Sequence, residues 1–344
     1  MRRILYHPVD PKSPSAAVRR RPPGLRPYFA TAMGFFLFGL LFSKRTLSAP
    51  IPALRSRPFD KVLFCALLVL GTTPAASAIQ VDALVAFAPQ PSFQTRHHAL
   101  HALDRAELES AAPSLLRFLR EAPVPEDWEF DDFHSFKNDI ADRLIFARVR
   151  SNTLARLALE ALNDDGEHPV WRDYCLQKLP DLIVTGDLAK ETSQSAARAL
   201  RHYASGAEPG LTGTALIAAL RLGKLSADSA GDFDTLGEAA LGRLAHRCAA
   251  DPSGLLLDRV SALQIAAELG HPGSVALARK LLAPTAGGEP DAPAMLRVSA
   301  LAALGQAGDP ADLELVARYR RSPDIRLRAA ARTAVQRLSS TNSP

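Results

Sequence analysis

Arg259-Val260-Ser261-Ala262-Leu263 recurs as Arg297-Val298-Ser299-Ala300-Leu301, and each copy runs on at the same offset to a Gly-x-Pro, Gly270-His271-Pro272 and then Gly308-Asp309-Pro310. Five identical residues followed by the same helix-ending signal mark an internal repeat. A repeat at this spacing predicts stacked supersecondary units rather than one closed core. Within the copies, Ala262, Leu263, Ala266 and Ala267 fall at helical spacing, as do Ala300, Leu301 and Leu304. Alanines let a neighbouring helix approach closely and leucines fill the seam, so Leu263 and Leu301 are expected at equivalent buried positions. Gly270 and Gly308 are expected to end their helices in the left-handed conformation. Asp309 is expected to cap the next helix, with Pro310 at its first position, where the missing N–H costs nothing.

A second helix follows over Val275 to Leu282, and again over Leu313 to Tyr319. A third copy opens with Ser322-Pro323-Asp324, with Arg326 in the place of Arg297 and Ala329 and Ala330 in the places of Ala300 and Leu301. The stretch from Pro284 to Asp291 has a loop composition and reads as an insertion between units.

These residues resemble the HEAT family, in particular its short bacterial form found in phycobilisome-lyase-type repeats. The Arg at a helix start, the Ala-rich spacing and the Gly-Asp-Pro of Arg297 to Pro310 carry the resemblance, which is specific over 255–339 and suggestive upstream. It implies an all-α fold, an α-solenoid of stacked antiparallel helix pairs, degenerate in its N-terminal half. It also implies that the repeated Arg259, Arg297 and Arg326 are structural. In that family repeated Arg and Asp pair between neighbouring units, which here would join Asp309 to Arg326 or Arg297.

Upstream, strand signals are nearly absent. Helices are expected near 93–120, 131–148, 151–163, 168–183, 189–204, 210–223 and 232–249, with short polar separators between them. Together with the repeats this makes roughly five or six helix pairs over 79–344.

Residues 61–78 have the form of a secretory signal peptide: Lys61, a short apolar core, then Ala76-Ser77-Ala78. Cleavage after Ala78 would place the protein in the periplasm or outside the cell. The core is too short to span a bilayer comfortably. Residues 1–60 are an Arg- and Pro-rich leader with a second apolar run from Tyr28 to Phe42, expected to be a misassigned start or disordered, with a membrane anchor as the alternative. The chain as a whole carries +5, but residues 1–78 hold 12 Lys/Arg and 2 Asp/Glu, leaving 29 against 34 in the remainder. The exported part is thus mildly acidic, which argues against nucleic-acid binding through phosphate contacts. No stable membrane span is expected in it. Of three cysteines, Cys65 lies in the signal core, and Cys175 and Cys248 are expected as free thiols on separate units of the stack.

Three clusters could carry chemistry. His97 and His101 share a helix face, with His98 beside them and Asp104 and Glu107 within about a turn or two, so this is the nearest approach to a metal site; a solvated first helix is the plainer reading. Trp128, Phe130 and Phe133 stand among acids and could form a binding lip, or could instead plug the end of the stack. Trp171, Tyr174 and Cys175, with His168 two turns earlier, could pair a nucleophile with a base, or simply pack a helix interface. There is no Gly-rich phosphate loop, Gly-x-Ser-x-Gly or His-Glu-x-x-His. No cofactor is implied. The leading expectation is an exported, non-enzymatic repeat scaffold that binds a protein or peptide partner. The alternative is an enzyme or metal-dependent protein using the His97/His98/His101 cluster or the Trp171–Cys175 region. The repeat resemblance also raises a bilin lyase, against which the export signal counts.

Overall fold

Asp104 splits what the sequence reads as one helix over 93–120. Its Oδ1 accepts from the Glu107 N–H at 2.8 Å, and Glu107 Oε2 accepts from the Asp104 N–H at 2.8 Å. This reciprocal capping box ends helix α1 (Phe93–Ala102) and starts α2 (Arg105–Glu121). The structure is a computed structural model that describes residues 84–85, 92–122, 130–227, 236–284 and 290–340. All of these lie within Thr72–Pro344, one of two units into which the chain divides. The leader, the Tyr28–Phe42 run, the signal segment with Ala78, Cys65 and Trp128 fall outside the described residues.

After α2 come α3 (Phe130–Ala147), α4 (Ser151–Leu162), α5 (Pro169–Thr185), α6 (Lys190–Ala204), α7 (Thr212–Ala227), α8 (Glu238–Ala250), α9 (Leu256–Glu268), α10 (Pro272–Leu282), α11 (Ala294–Ala307), α12 (Leu313–Arg318) and α13 (Ile325–Ser340). Short 3₁₀ turns, Pro310–Asp312 and Tyr319–Arg321, flank α12. The described residues contain no strand. From α1 to α13, each odd-numbered helix packs on the next odd one, forming a continuous row. Each even helix from α2 to α12 packs on the odd helix that follows it, and direct contacts along the even row are sparser. This is a HEAT-like α-solenoid of stacked helix pairs. Sequence order groups α9 with α10, but α10 packs far more extensively on α11, so the spatial unit is an even helix with its following odd helix.

Leu263 and Leu301 are both fully buried. The repeated serine links the copies directly, since Ser299 Oγ donates to the Val260 carbonyl at 2.8 Å. Gly270 ends its helix at φ +64°, the left-handed conformation glycine tolerates. Gly308 does not: its backbone is extended (φ −74°, ψ 174°). Here glycine is required by crowding, because a Cβ would lie 2.7 Å from Asp312 Oδ2 and 2.5 Å from the Leu304 carbonyl. Asp309 caps the next turn as expected, accepting from the Ala311 N–H at 2.9 Å with Pro310 at the first position.

The third copy needs a different register. Leu296, Ala300 and Ala303 are among the buried residues of α11, and Leu327, Ala331 and Ala334, at the same spacing, are among those of α13. That alignment puts Arg328, not Arg326, in the place of Arg297. Arg326 instead forks onto Asp324, two residues earlier, with Nη2 at 2.8 Å from Oδ2. The local pair Asp324–Arg326 imitates the repeat in sequence while serving as a helix cap.

A second repeated feature then appears. The fourth residue of α5, α9, α11 and α13 is an arginine: Arg172, Arg259, Arg297 and Arg328. Arg172 Nη2 donates to the Leu162 carbonyl at the end of α4 at 2.9 Å, Arg259 Nε to the Ala249 carbonyl at the end of α8 at 3.3 Å, and Arg328 Nη1 to the Ser322 carbonyl after α12 at 2.7 Å. A cation satisfies the orphan carbonyls at the negative end of a helix. Tyrosines do the same across units: Tyr203 Oη donates to the Leu162 carbonyl at 2.5 Å, and Tyr319 Oη to the Leu282 carbonyl at 2.8 Å. The unit around α4 to α6, before residue 255, is therefore built on the same bonds as those after it.

Candidate functional site

The histidine cluster is brought together with a residue that sequence spacing does not find. His97 and His101 lie one turn apart on α1, their ring centroids 4.5 Å apart. The third member is Asp139 of α3, whose Oδ2 is 2.7 Å from His97 Nδ1. One donor atom from each of the three lies within 4.8 Å of the others. His98 is not part of this group and is exposed. Asp104 and Glu107 are not part of it either, being consumed by the capping box. Packing that needs no ligand positions the three side chains. Arg143 Nη2 donates to the Leu103 carbonyl at 2.6 Å, tying α3 to the end of α1, and the Phe93 and Phe136 rings meet edge to face at 6.2 Å. Burial lowers the pKa of His101, and the neighbouring His97 lowers it further.

Of the expected binding lip, only the Phe133 side chain falls within the described residues. Phe133 is 2% exposed and packs against Phe118, with ring centroids 5.8 Å apart. Phe133 is core because α3 turns this face toward α2. Phe130 opens α3, but its side chain, like Trp128, is outside the described residues.

The Trp171–Cys175 region is interior packing. Trp171 and Cys175 are each 1% exposed. Burial, above all, pushes the Cys175 thiol far above the range in which a thiolate forms. His168 is the N-cap of α5, its Nδ1 accepting from the Val170 N–H at 3.2 Å, so the expected base is engaged in holding a helix end. Cys175 and Cys248 are free thiols. Sequence spacing missed the neighbour that dominates this region. Lys137 of α3 is 3% exposed, with its Nζ 4.6 Å from the Trp171 ring centroid and 5.7 Å from that of Phe133. Desolvation lowers its pKa, partly opposed by Glu167. Close by, His134 stacks on His168 at 4.5 Å, and burial, then His168 and Lys137, depress it to about 4.

The inter-unit charge pairing also differs from its expected form. Asp309 accepts from Arg279 Nη2 at 2.7 Å rather than from Arg326 or Arg297. Arg279 Nε reaches Asp312 Oδ1 as well, at 2.6 Å, and Asp312 is 3% exposed. Arg279 sits on α10, which lies beside the Asp309 turn in space, and sequence order hides that adjacency. Asp258 makes a comparable inter-unit link, accepting from the Gly210 and Gly213 N–H groups at 2.7 Å each and so covering the start of α7. These arginines and aspartates hold the stack together.

Fold and site thus define a class: a helical repeat protein whose dense polar contacts are structural, with one three-donor cluster among the described residues, between α1 and α3. No family model matches the chain, and no curated protein matches it. Among solved structures it is similar to human deoxyhypusine hydroxylase in complex with glycerol, at 19% identity and a TM-score of 0.31, over 77% of this chain and 96% of that one. A likeness of that size carries no argument about chemistry. No helix among the described residues is long and apolar enough to cross a membrane.

Proposed function

We propose that this is an exported, non-enzymatic scaffold of the HEAT-repeat family that binds a protein or peptide partner. The observation that carries the reading is a group of large apolar residues left exposed at the starts of two odd-row helices, separate from Phe146, which is 80% exposed near the end of α3. Leu255 and Leu257 are 50% and 41% exposed at the start of α9, and Ile325 is 70% exposed at the start of α13. All three belong to the ends of odd-row helices, where a partner laid across successive units would meet them. Solenoids present such extended surfaces because each unit contacts only its neighbours. The signal-like segment before Ile79 and the mildly acidic composition after it support export and count against a nucleic-acid partner.

The test is site-specific photo-crosslinking in the native envelope from positions 257 and 325, with Glu109 on α2 as a control position. The expected result is a discrete crosslinked partner from the first two positions, lost on Leu257→Glu or Ile325→Glu. Equal crosslinking from all three positions would overturn the reading. So would recovery of the native protein from the cytoplasm with Met1 at its N-terminus.

A further inference from the structure

We infer that His97, His101 and Asp139 form a binding site for one divalent transition-metal ion of zinc's kind. The ion would be held between α1 and α3 with a coordination position left open. Two imidazoles and one carboxylate are a donor set suited to such ions, and three protein ligands with a free fourth position is a recurrent zinc arrangement. The donors come from two helices and converge on one point, with His97 Nδ1 2.7 Å from Asp139 Oδ2 and all three donor atoms within 4.8 Å of one another.

A plain ion pair would account for His97 and Asp139 alone. It would not account for His101, which is aimed at the same point and makes no hydrogen bond to any described residue. Donors about 2.0–2.2 Å from a zinc ion stand roughly 3.4 Å apart at the tetrahedral angle. Closure therefore asks for a rotation of the exposed His101 and a slight opening of the His97–Asp139 pair. The backbones need not move, because Arg143 and the Phe93–Phe136 contact already fix α1 against α3.

The surroundings favour a cation. His101 lies in the last turn of α1, where the unsatisfied carbonyls carry partial negative charge. Asp142, one turn beyond Asp139, contributes a second carboxylate nearby, although Lys178 is paired with it at 2.7 Å. The opposing charge is Arg143, whose guanidinium is committed to the Leu103 carbonyl. His98 points elsewhere and supplies a matched control, being another exposed histidine on the same helix.

The test is zinc titration of the purified, tag-free protein against a chromophoric chelator, with cobalt substitution as a spectroscopic readout. One zinc per chain is expected, together with visible cobalt bands of a nitrogen- and oxygen-ligated ion and a rise in melting temperature with added zinc. His101→Ala and Asp139→Asn should each weaken zinc binding by more than about 10-fold. His98→Ala should leave it unchanged. Circular dichroism of the apo variants shows whether they fold, and His101, being exposed, gives a variant that tests the site even if Asp139→Asn destabilises α3. Zinc binding no tighter in the parent than in His101→Ala would overturn the assignment. Equal weakening by His98→Ala would also overturn it, because that outcome describes an adventitious histidine surface.

Discussion

The units around α4–α6 and those around α10–α12 use the same bonds but differ in how much of the plan their sequences reveal. In the first, Leu162 at the end of α4 receives Arg172 and Tyr203. In the second, Leu282 at the end of α10 receives Tyr319, and Arg297 occupies the place of Arg172 on its helix. The second region seals its helices with small residues: a Cβ on Gly305 would lie 2.9 Å from the Ala334 Cα. Nearer the N-terminus, α2, α3 and α5 are sealed by bulk, with Phe118, Phe133, Phe136 and Trp171 in their core. Close helix approach demands small residues at fixed positions and so preserves a repeat in sequence. Aromatic packing can be solved in many ways and erases it. Repeat architecture therefore survives where its signature does not.

The sharpest way to break this comparison is to remove α13. Truncation after Arg321 should leave the remainder helical, because repeat stability is local, but less stable and prone to associate through the bared Leu301–Val316 surface. Circular dichroism with light scattering decides it. Complete loss of structure would mean one cooperative globule with α13 at its centre.

Single core truncations come next. Phe136→Ala should cost about 3–5 kcal/mol and Leu301→Ala about 2–5 kcal/mol in denaturant unfolding. Hydrogen exchange should show each loss concentrated in its own half, and uniform loss would contradict local stability.

Acid should separate the halves further. His134 is held neutral by burial, at about 4 in the fold against 6.5 for the free side chain. Its contribution is therefore complete above about pH 6.5 and is lost as pH falls toward 4, up to about 3 kcal/mol. In the C-terminal half, the His246–His271 stack lies at a more open place, although desolvation and His246 also lower His271. The α3–α5 region should therefore loosen first on acidification, and His134→Gln should flatten that pH dependence.

A smaller effect is expected at the helix-end arginines. Arg172→Met should cost about 1.5–3 kcal/mol, because Arg172 is 5% exposed and satisfies both the Leu162 carbonyl and Glu208. Arg328→Met should cost less, its bonds being nearer solvent. Smallest of all, Arg318→Ala removes an exposed pair with Glu314 and should stay within about 0.5 kcal/mol.

Local chemistry was legible without coordinates: the all-helical repeat over Arg259 to Pro310, the buried Leu263 and Leu301, the Gly270 turn and the Asp309–Pro310 cap. Each of these depends on residues within a turn or two of one another, where spacing alone fixes geometry. The break at Asp104 was equally local, its Asp-x-x-Glu box being readable but masked by continuous helical periodicity. What tertiary structure decided are the partners that lie between 30 and 42 residues apart in sequence and side by side in space. Asp139 rather than Asp104 completes the histidine cluster, Arg279 rather than Arg326 meets Asp309, and Lys137 fills the space against Trp171. The register that makes Arg328 the third repeat arginine also belongs here, because only burial distinguishes it from Arg326. Charged and titratable side chains are long and accept many neighbours, so which of them meet is set by how helices stack and not by the spacing along any one of them.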